Sequence, residues 1–114
     1  MTITLVTCSG LSNTGRLTTE AAMTLVHRKP GKYVWLRARE PPDSLEAGIG
    51  DAEQVIVIDG CTDCCAMKNY PSSCPAPARH IIATEIGIRK NGMAEVQFHE
   101  IETLVHEVLR GDNP

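Results

Sequence analysis

Apolar residues alternate with threonines over residues 2 to 8, where Ile3 and Leu5 stand among Thr2, Thr4 and Thr7, and the run breaks at Ser9-Gly10-Leu11-Ser12-Asn13-Thr14-Gly15. The alternation predicts a strand, and the glycines with Ser and Asn predict the turn that ends it. Leu17, Ala21 and Leu25, with Ala22 and Val26 beside them, form a helical stripe closed by His27-Arg28-Lys29 and Pro30-Gly31. A second strand is expected over Lys32 to Arg39, with Val34, Leu36 and Ala38 on one face. Pro41-Pro42 breaks the chain, and Ser44 to Ala47 can form a short helical turn. Val55 to Asp59 is a continuous β-branched run, as in a strand covered on both faces.

Beyond Asp59 a helix is expected over residues 61 to 70, then a loop at 71 to 77, where Pro71, Pro75 and Pro77 remove donors. A fourth strand is expected from His80 to Ile86. Ile101, Leu104, Val105, Val108 and Leu109 follow the spacing of an amphipathic helix, which Gly111 ends. Strands alternating with helices predict an α/β fold: a small three-layer, doubly wound parallel sheet of about four strands with helices on both faces. The simplest order is 2-1-3-4, which opens a ligand crevice beyond the carboxyl ends of the first and third strands. Cys8 and Cys61 both lie there.

Composition narrows the function. The 114 residues carry 11 Lys and Arg against 14 Asp and Glu, a formal charge of −3, and 42% are hydrophobic. A single soluble domain over residues 1 to 114 is expected. The longest apolar run, Val55 to Ile58, is far shorter than a membrane span. The start of the chain reads as a strand and not a signal peptide, so the expected location is cytoplasmic. A pI near 5.7 argues against bulk binding of nucleic acid.

Five cysteines, at positions 8, 61, 64, 65 and 74, are an odd number, and three fall within five consecutive positions. In a reducing compartment this pattern points to metal or thiol chemistry. Neighbouring strands are about 4.8 Å apart, and two thiolates on one tetrahedral zinc place their sulfurs roughly 3.8 Å apart. Cys8 and Cys61 can therefore share a metal. In a helix beginning at position 61, Cys65 lies one turn on, on the same face, and Cys64 at the i+3 position. The competing view makes Cys8 and one of Cys64 or Cys65 buried apolar residues. Cys74 sits in the proline-rich loop, either folded over the crevice or in solvent.

Gly10 to Gly15 has the Gly-x4-Gly spacing of a phosphate loop, but Arg16 replaces the lysine and Leu17 the metal-binding hydroxyl, which argues against nucleotide hydrolysis. An anion nest at Gly10, Asn13, Gly15 and Arg16 is the surviving expectation, set against an ordinary βα turn. Residues 27 to 39 hold Arg28, Lys29, Lys32, Arg37 and Arg39 and no acid. Cations suit an edge strand, and Arg37 and Arg39 also stand near the crevice, where an anionic ligand could meet them. His27, His80, His99 and His106 are expected to stay apart from the cysteines, His80 at the edge opposite the crevice. Thr84 and Glu85 are placed nearer to it.

Cys8-Ser9-Gly10 with Asn13 and Gly15, Asp59-Gly60-Cys61 with Cys65-Ala66, and Thr84 with Gly87-Ile88 and Lys90 together resemble the Asp-Gly-Cys domain family over nearly the whole chain. That resemblance implies a zinc-binding protein with four chelating cysteines and no assigned cellular role. Cys8, Cys61 and Cys65 match three of the four. The family's fourth cysteine lies in the second strand, where this chain has Tyr33-Val34-Trp35-Leu36. The expected ligands are thus Cys8, Cys61 and Cys65, with Cys64 or Cys74 in support and Asp59 and Gly60 shaping the turn.

Zinc is the expected ion, ahead of an iron–sulfur cluster, and the partner is otherwise an unidentified small molecule or protein. The rival reading is a thiol or persulfide redox enzyme with Cys8 or Cys61 as nucleophile, supported by the Cys-x-x-Cys spacing of Cys61 and Cys64. Acidic Asp59 and Asp63 oppose it.

Overall fold

A computed structural model describes residues 2–111. Its strands are β1 (Ile3–Thr7), β2 (Tyr33–Arg37), β3 (Gln54–Asp59) and β4 (Arg79–Ile82). Its helices are α1 (Asn13–Arg28), α2 (Pro42–Gly50), α3 (Cys65–Lys68) and α4 (Phe98–Arg110), with a single-turn 3-10 helix over Ala83–Ile86. All strand pairs are parallel and the order is β2-β1-β3-β4, the doubly wound order expected from the strand–helix alternation. Every residue of β1 is buried, as is β3 beyond Gln54, because both are central and covered on two faces.

One face packs Leu5, Ile56 and Ile58 against Leu17, Ala21 and Leu25 of α1 and Leu104, Val105 and Val108 of α4. The other packs Val6, Val55 and Val57 against Leu45 and Ile49 of α2 and Ala66 of α3. Burying one such leucine or isoleucine fully contributes about 1.5–3 kcal/mol, so the two apolar layers hold the sheet flat against its helices. No helix among the described residues is long and apolar enough to cross a membrane.

Three elements depart from expectation. The fourth strand stops at Ile82 and not at Ile86, because its register sets Ile82 beside Asp59, the last residue of β3; beyond it there is no strand to pair with. The chain tightens instead into the 3-10 turn and leaves it at Gly87, whose φ of 96° suits glycine. The helix expected from residue 61 begins only at Cys65, because Cys64 adopts a left-handed conformation (φ 52°) that interrupts helical geometry. Cys61 and Cys65 therefore do not lie one turn apart on a helix. The helix expected at Ser44 to Ala47 is longer, with Pro42 at its start, where a missing N–H is harmless.

Candidate functional site

The strand register brings the ends of β1 and β3 level, Thr7 facing Ile58, so that the turns leaving both strands meet. Cys8 continues the ladder by donating its N–H to the Ile58 carbonyl at 3.2 Å. Its Sγ receives the Gly60 N–H at 3.4 Å and lies 3.8 Å from Thr18 Oγ1. The next residue, Ser9, takes φ 47°, rare for a side-chain-bearing residue. It is held there by its N–H to Thr18 Oγ1 and by hydroxyl contacts with Thr7 and Thr19.

Gly60 is where the two turns touch. A Cβ added there would come within 2.7 Å of the Thr14 carbonyl carbon and 2.8 Å of the Gly15 nitrogen. Gly15 is equally confined, 2.6 Å from the Gly10 backbone by the same construction. The glycine of Asp59-Gly60-Cys61 is thus required by close backbone approach.

Asp59 has no exposed surface. Its Oδ1 accepts the Ala66 N–H at 2.7 Å and its Oδ2 the Met67 N–H at 3.2 Å, so the carboxylate anchors the first turn of α3. Oδ2 also lies 2.7 Å from His80 Nε2, the imidazole being one-quarter exposed. This contact corrects the expectation that all four histidines stand apart from the cysteines. His80 and Asp59 share a sheet face, and Cys64 completes a trio whose ligand atoms all lie within 4.8 Å of one another. Burial, then the Asp59 charge, pushes the Cys64 thiol pKa up. The sequence signal for His80 was its parity: Ile81 enters the α1/α4 core, so His80 faces the Asp59 side, but only the strand register shows that the two meet.

Cys61 is half-buried, its Sγ 3.7 Å from Asp63 Oδ2 and 3.4 Å from Lys90 Nζ. That hydrogen bond raises the pKa of the Lys90 amine. Lys90 is positioned from across the fold: the buried Asn13 side chain donates to the Arg89 carbonyl at 2.8 Å and accepts the Asn91 N–H at 2.7 Å, gripping the chain on either side of it.

Cys8, Cys61, Cys64 and Cys65 all line one cavity of about 370 Å³ at the carboxyl ends of β1 and β3, with Arg39, Asp59 and Lys90 in its wall. Cys74 does not line it; it packs on the α2 side of the sheet, its Sγ 4.0 Å from the Glu46 carbonyl. All five cysteines are free thiols. Thr84 and Glu85 fall in the 3-10 turn, where the Thr84 hydroxyl is buried without a hydrogen-bond partner and Glu85 adds to the upward shift of Cys64.

Of the groups expected to form an anion nest at Gly10, Asn13, Gly15 and Arg16, three backbone donors are engaged within the fold. Gly15 N–H goes to the Ser12 hydroxyl, Arg16 N–H to the Ser12 carbonyl and Asn13 N–H to the Gly92 carbonyl. The Arg16 guanidinium donates to the Ala94 carbonyl. These donors serve the turn, the ordinary role of a helix start whose first N–H groups lack helical partners. Of the two arginines expected near the crevice, Arg39 lines the thiol cavity, whereas Arg37 stacks on Trp35, 4.9 Å from the ring centre.

The DGC domain family model matches residues 4–108. No curated protein and no solved structure matches the chain.

Proposed function

This chain belongs to the DGC domain family, and from that premise we propose that it is a zinc-binding protein whose ion is held by the thiols of Cys8, Cys61 and Cys65. The convergence of cysteines from two separate βα turns on one cavity carries this reading. The donor types fit, and the three sulfurs, more widely spaced than the 4.8 Å that groups Asp59, Cys64 and His80, would close on the ion as it binds. Zinc binds thiolate and not thiol, and the Cys8 and Cys61 sulfurs already receive an N–H from Gly60 and from Lys90. Gly60 and Asp59 shape the turn, and Cys74 is set aside because it lies against α2. Three thiolates leave one position of a tetrahedral ion for solvent or an exogenous ligand, since β2 carries no cysteine. A bound zinc would supply Lewis acidity or a soft ligand site in a cavity edged by Arg39 and Lys90. Free thiols in this number suit a reducing compartment such as the cytoplasm.

The test is elemental analysis of anaerobically purified protein with a thiol count before and after chelation. Zinc is expected in the protein as purified, with thiols released by the chelator and about one equivalent per chain lost in both Cys8→Ser and Cys61→Ser. Normal zinc loading of both variants would overturn the assignment. One observation favours a second reading, thiol chemistry at Cys61: Lys90 stands 3.4 Å from its sulfur, a cation the acidic sequence context did not suggest. Metal-free protein whose Cys61 reacts with disulfides faster than its Lys90→Met variant would move the balance to it.

A further inference from the structure

We infer that Asp59, Cys64 and His80 form a second metal site of mixed oxygen, sulfur and nitrogen donors, beside the three-thiol site and independent of it. Their ligand atoms lie within 4.8 Å of one another. Around one tetrahedral ion such donors stand about 3.3–3.7 Å apart. The arrangement therefore needs adjustment of a few tenths of an ångström to an ångström, not refolding.

The adjustment can be located. Asp59 Oδ2 and His80 Nε2 are 2.7 Å apart because a hydrogen joins them, and an ion taking its place must part them by roughly 0.6 Å. Asp59 is the fixed member, clamped by the Ala66 and Met67 amides, and its Oδ1 keeps the Ala66 N–H while Oδ2 turns to the ion. His80 is the movable member, on edge strand β4 with its ring one-quarter exposed. Cys64 is aimed by the left-handed kink that also delays α3, a conformation held by Cys64 N–H to the Cys61 carbonyl and Lys68 N–H to the Cys64 carbonyl.

Capping of α3 accounts for the burial of Asp59 but not for the other two residues: Ala66 and Met67 already satisfy the cap, yet an imidazole and a thiol also converge on the carboxylate. A carboxylate, an imidazole and a thiolate together select a borderline divalent ion such as zinc, cobalt or nickel over magnesium or calcium. Three protein ligands again leave a coordination position open. The assignment also explains why Cys64 is not needed as a fourth thiolate of the neighbouring site.

The test uses cobalt(II) added anaerobically to the Cys8→Ser/Cys61→Ser chain, in which the three-thiol site is destroyed and this one is intact. About one cobalt per chain is expected, with a sulfur-to-cobalt charge-transfer band and visible bands of tetrahedral intensity. Cys64→Ser in that background should abolish the charge-transfer band. His80→Gln, whose amide can still donate to Asp59, should weaken binding roughly a hundredfold or more.

A second measurement needs no cysteine variant: in the unmodified chain, added zinc should move the His80 ring-nitrogen resonances and leave those of His27, His99 and His106 in place. Cobalt binding unchanged by His80→Gln, or His80 resonances indifferent to zinc, would overturn the inference. Failure of the three-thiol site would appear separately, as normal zinc loading in Cys8→Ser and Cys61→Ser.

Discussion

The turn from β1 to α1 and the turn from β3 to α3 lie against each other at the carboxyl end of the sheet, one polar and closed, the other sulfur-rich and open. In the first, Ser12 caps a 16-residue helix and the N–H groups of Asn13, Gly15 and Arg16 are all engaged within the fold. In the second, the helix is only four residues long, its start is delayed by Cys64, and the Cys61 sulfur, which faces Cys8 of the first turn across the cavity, has long contacts of 3.4 Å to Lys90 and 3.7 Å to Asp63. A long helix must satisfy its first donors, and a turn that does so locally keeps none for a ligand. A turn lined with thiols has weak acceptors and room, which suits a metal or a reaction partner. The closed turn also serves the open one, since Asn13 grips the segment that sets Lys90 on Cys61.

Substitutions can break this division at decreasing cost. Gly60→Ala drives a methyl into the Thr14 and Gly15 backbone, which cannot yield as a side chain would. A loss of about 3 kcal/mol is expected, read as a lower denaturant midpoint at unchanged slope. A loss below about 0.5 kcal/mol would show that the two turns are not interlocked.

Asn13→Ala leaves the Arg89 carbonyl and the Asn91 N–H without their buried partner. It should cost about 2 kcal/mol and speed amide exchange over residues 89 to 91. If Lys90 is held on Cys61 through this grip, the rate of Cys61 alkylation should change as well, while that of the distant Cys74 stays put. Equal changes at both cysteines would point to general loosening.

Ser12→Ala is the mildest test. It removes one cap acceptor from α1 and should lower stability by about 1 kcal/mol. Because it frees the Gly15 N–H, it also asks whether the nest is closed only by its own cap. Sulfate-dependent stabilisation of the variant, absent from the parent, would show a latent anion site.

Amphipathic spacing, alternation and punctuation by Gly and Pro were sufficient for the four strands, the long helices α1 and α4, the parallel class and the sheet order. These features rest on local geometry and on general rules of chain connection, both written in residue spacing. The nearness of Cys8 to the Asp59-Gly60-Cys61 turn was legible for the same reason, since adjacent parallel strands end together. Tertiary structure alone decided what depends on register and on contacts between distant segments. His80 meets Asp59 because β4 pairs with β3 at one register of several. Cys74 leaves the crevice because its loop packs toward α2. The delayed start of α3 turns on one left-handed residue, a conformation that helix spacing does not reveal. A one-residue shift of β4 would carry His80 to the opposite face of the sheet, away from Asp59, with no change in sequence.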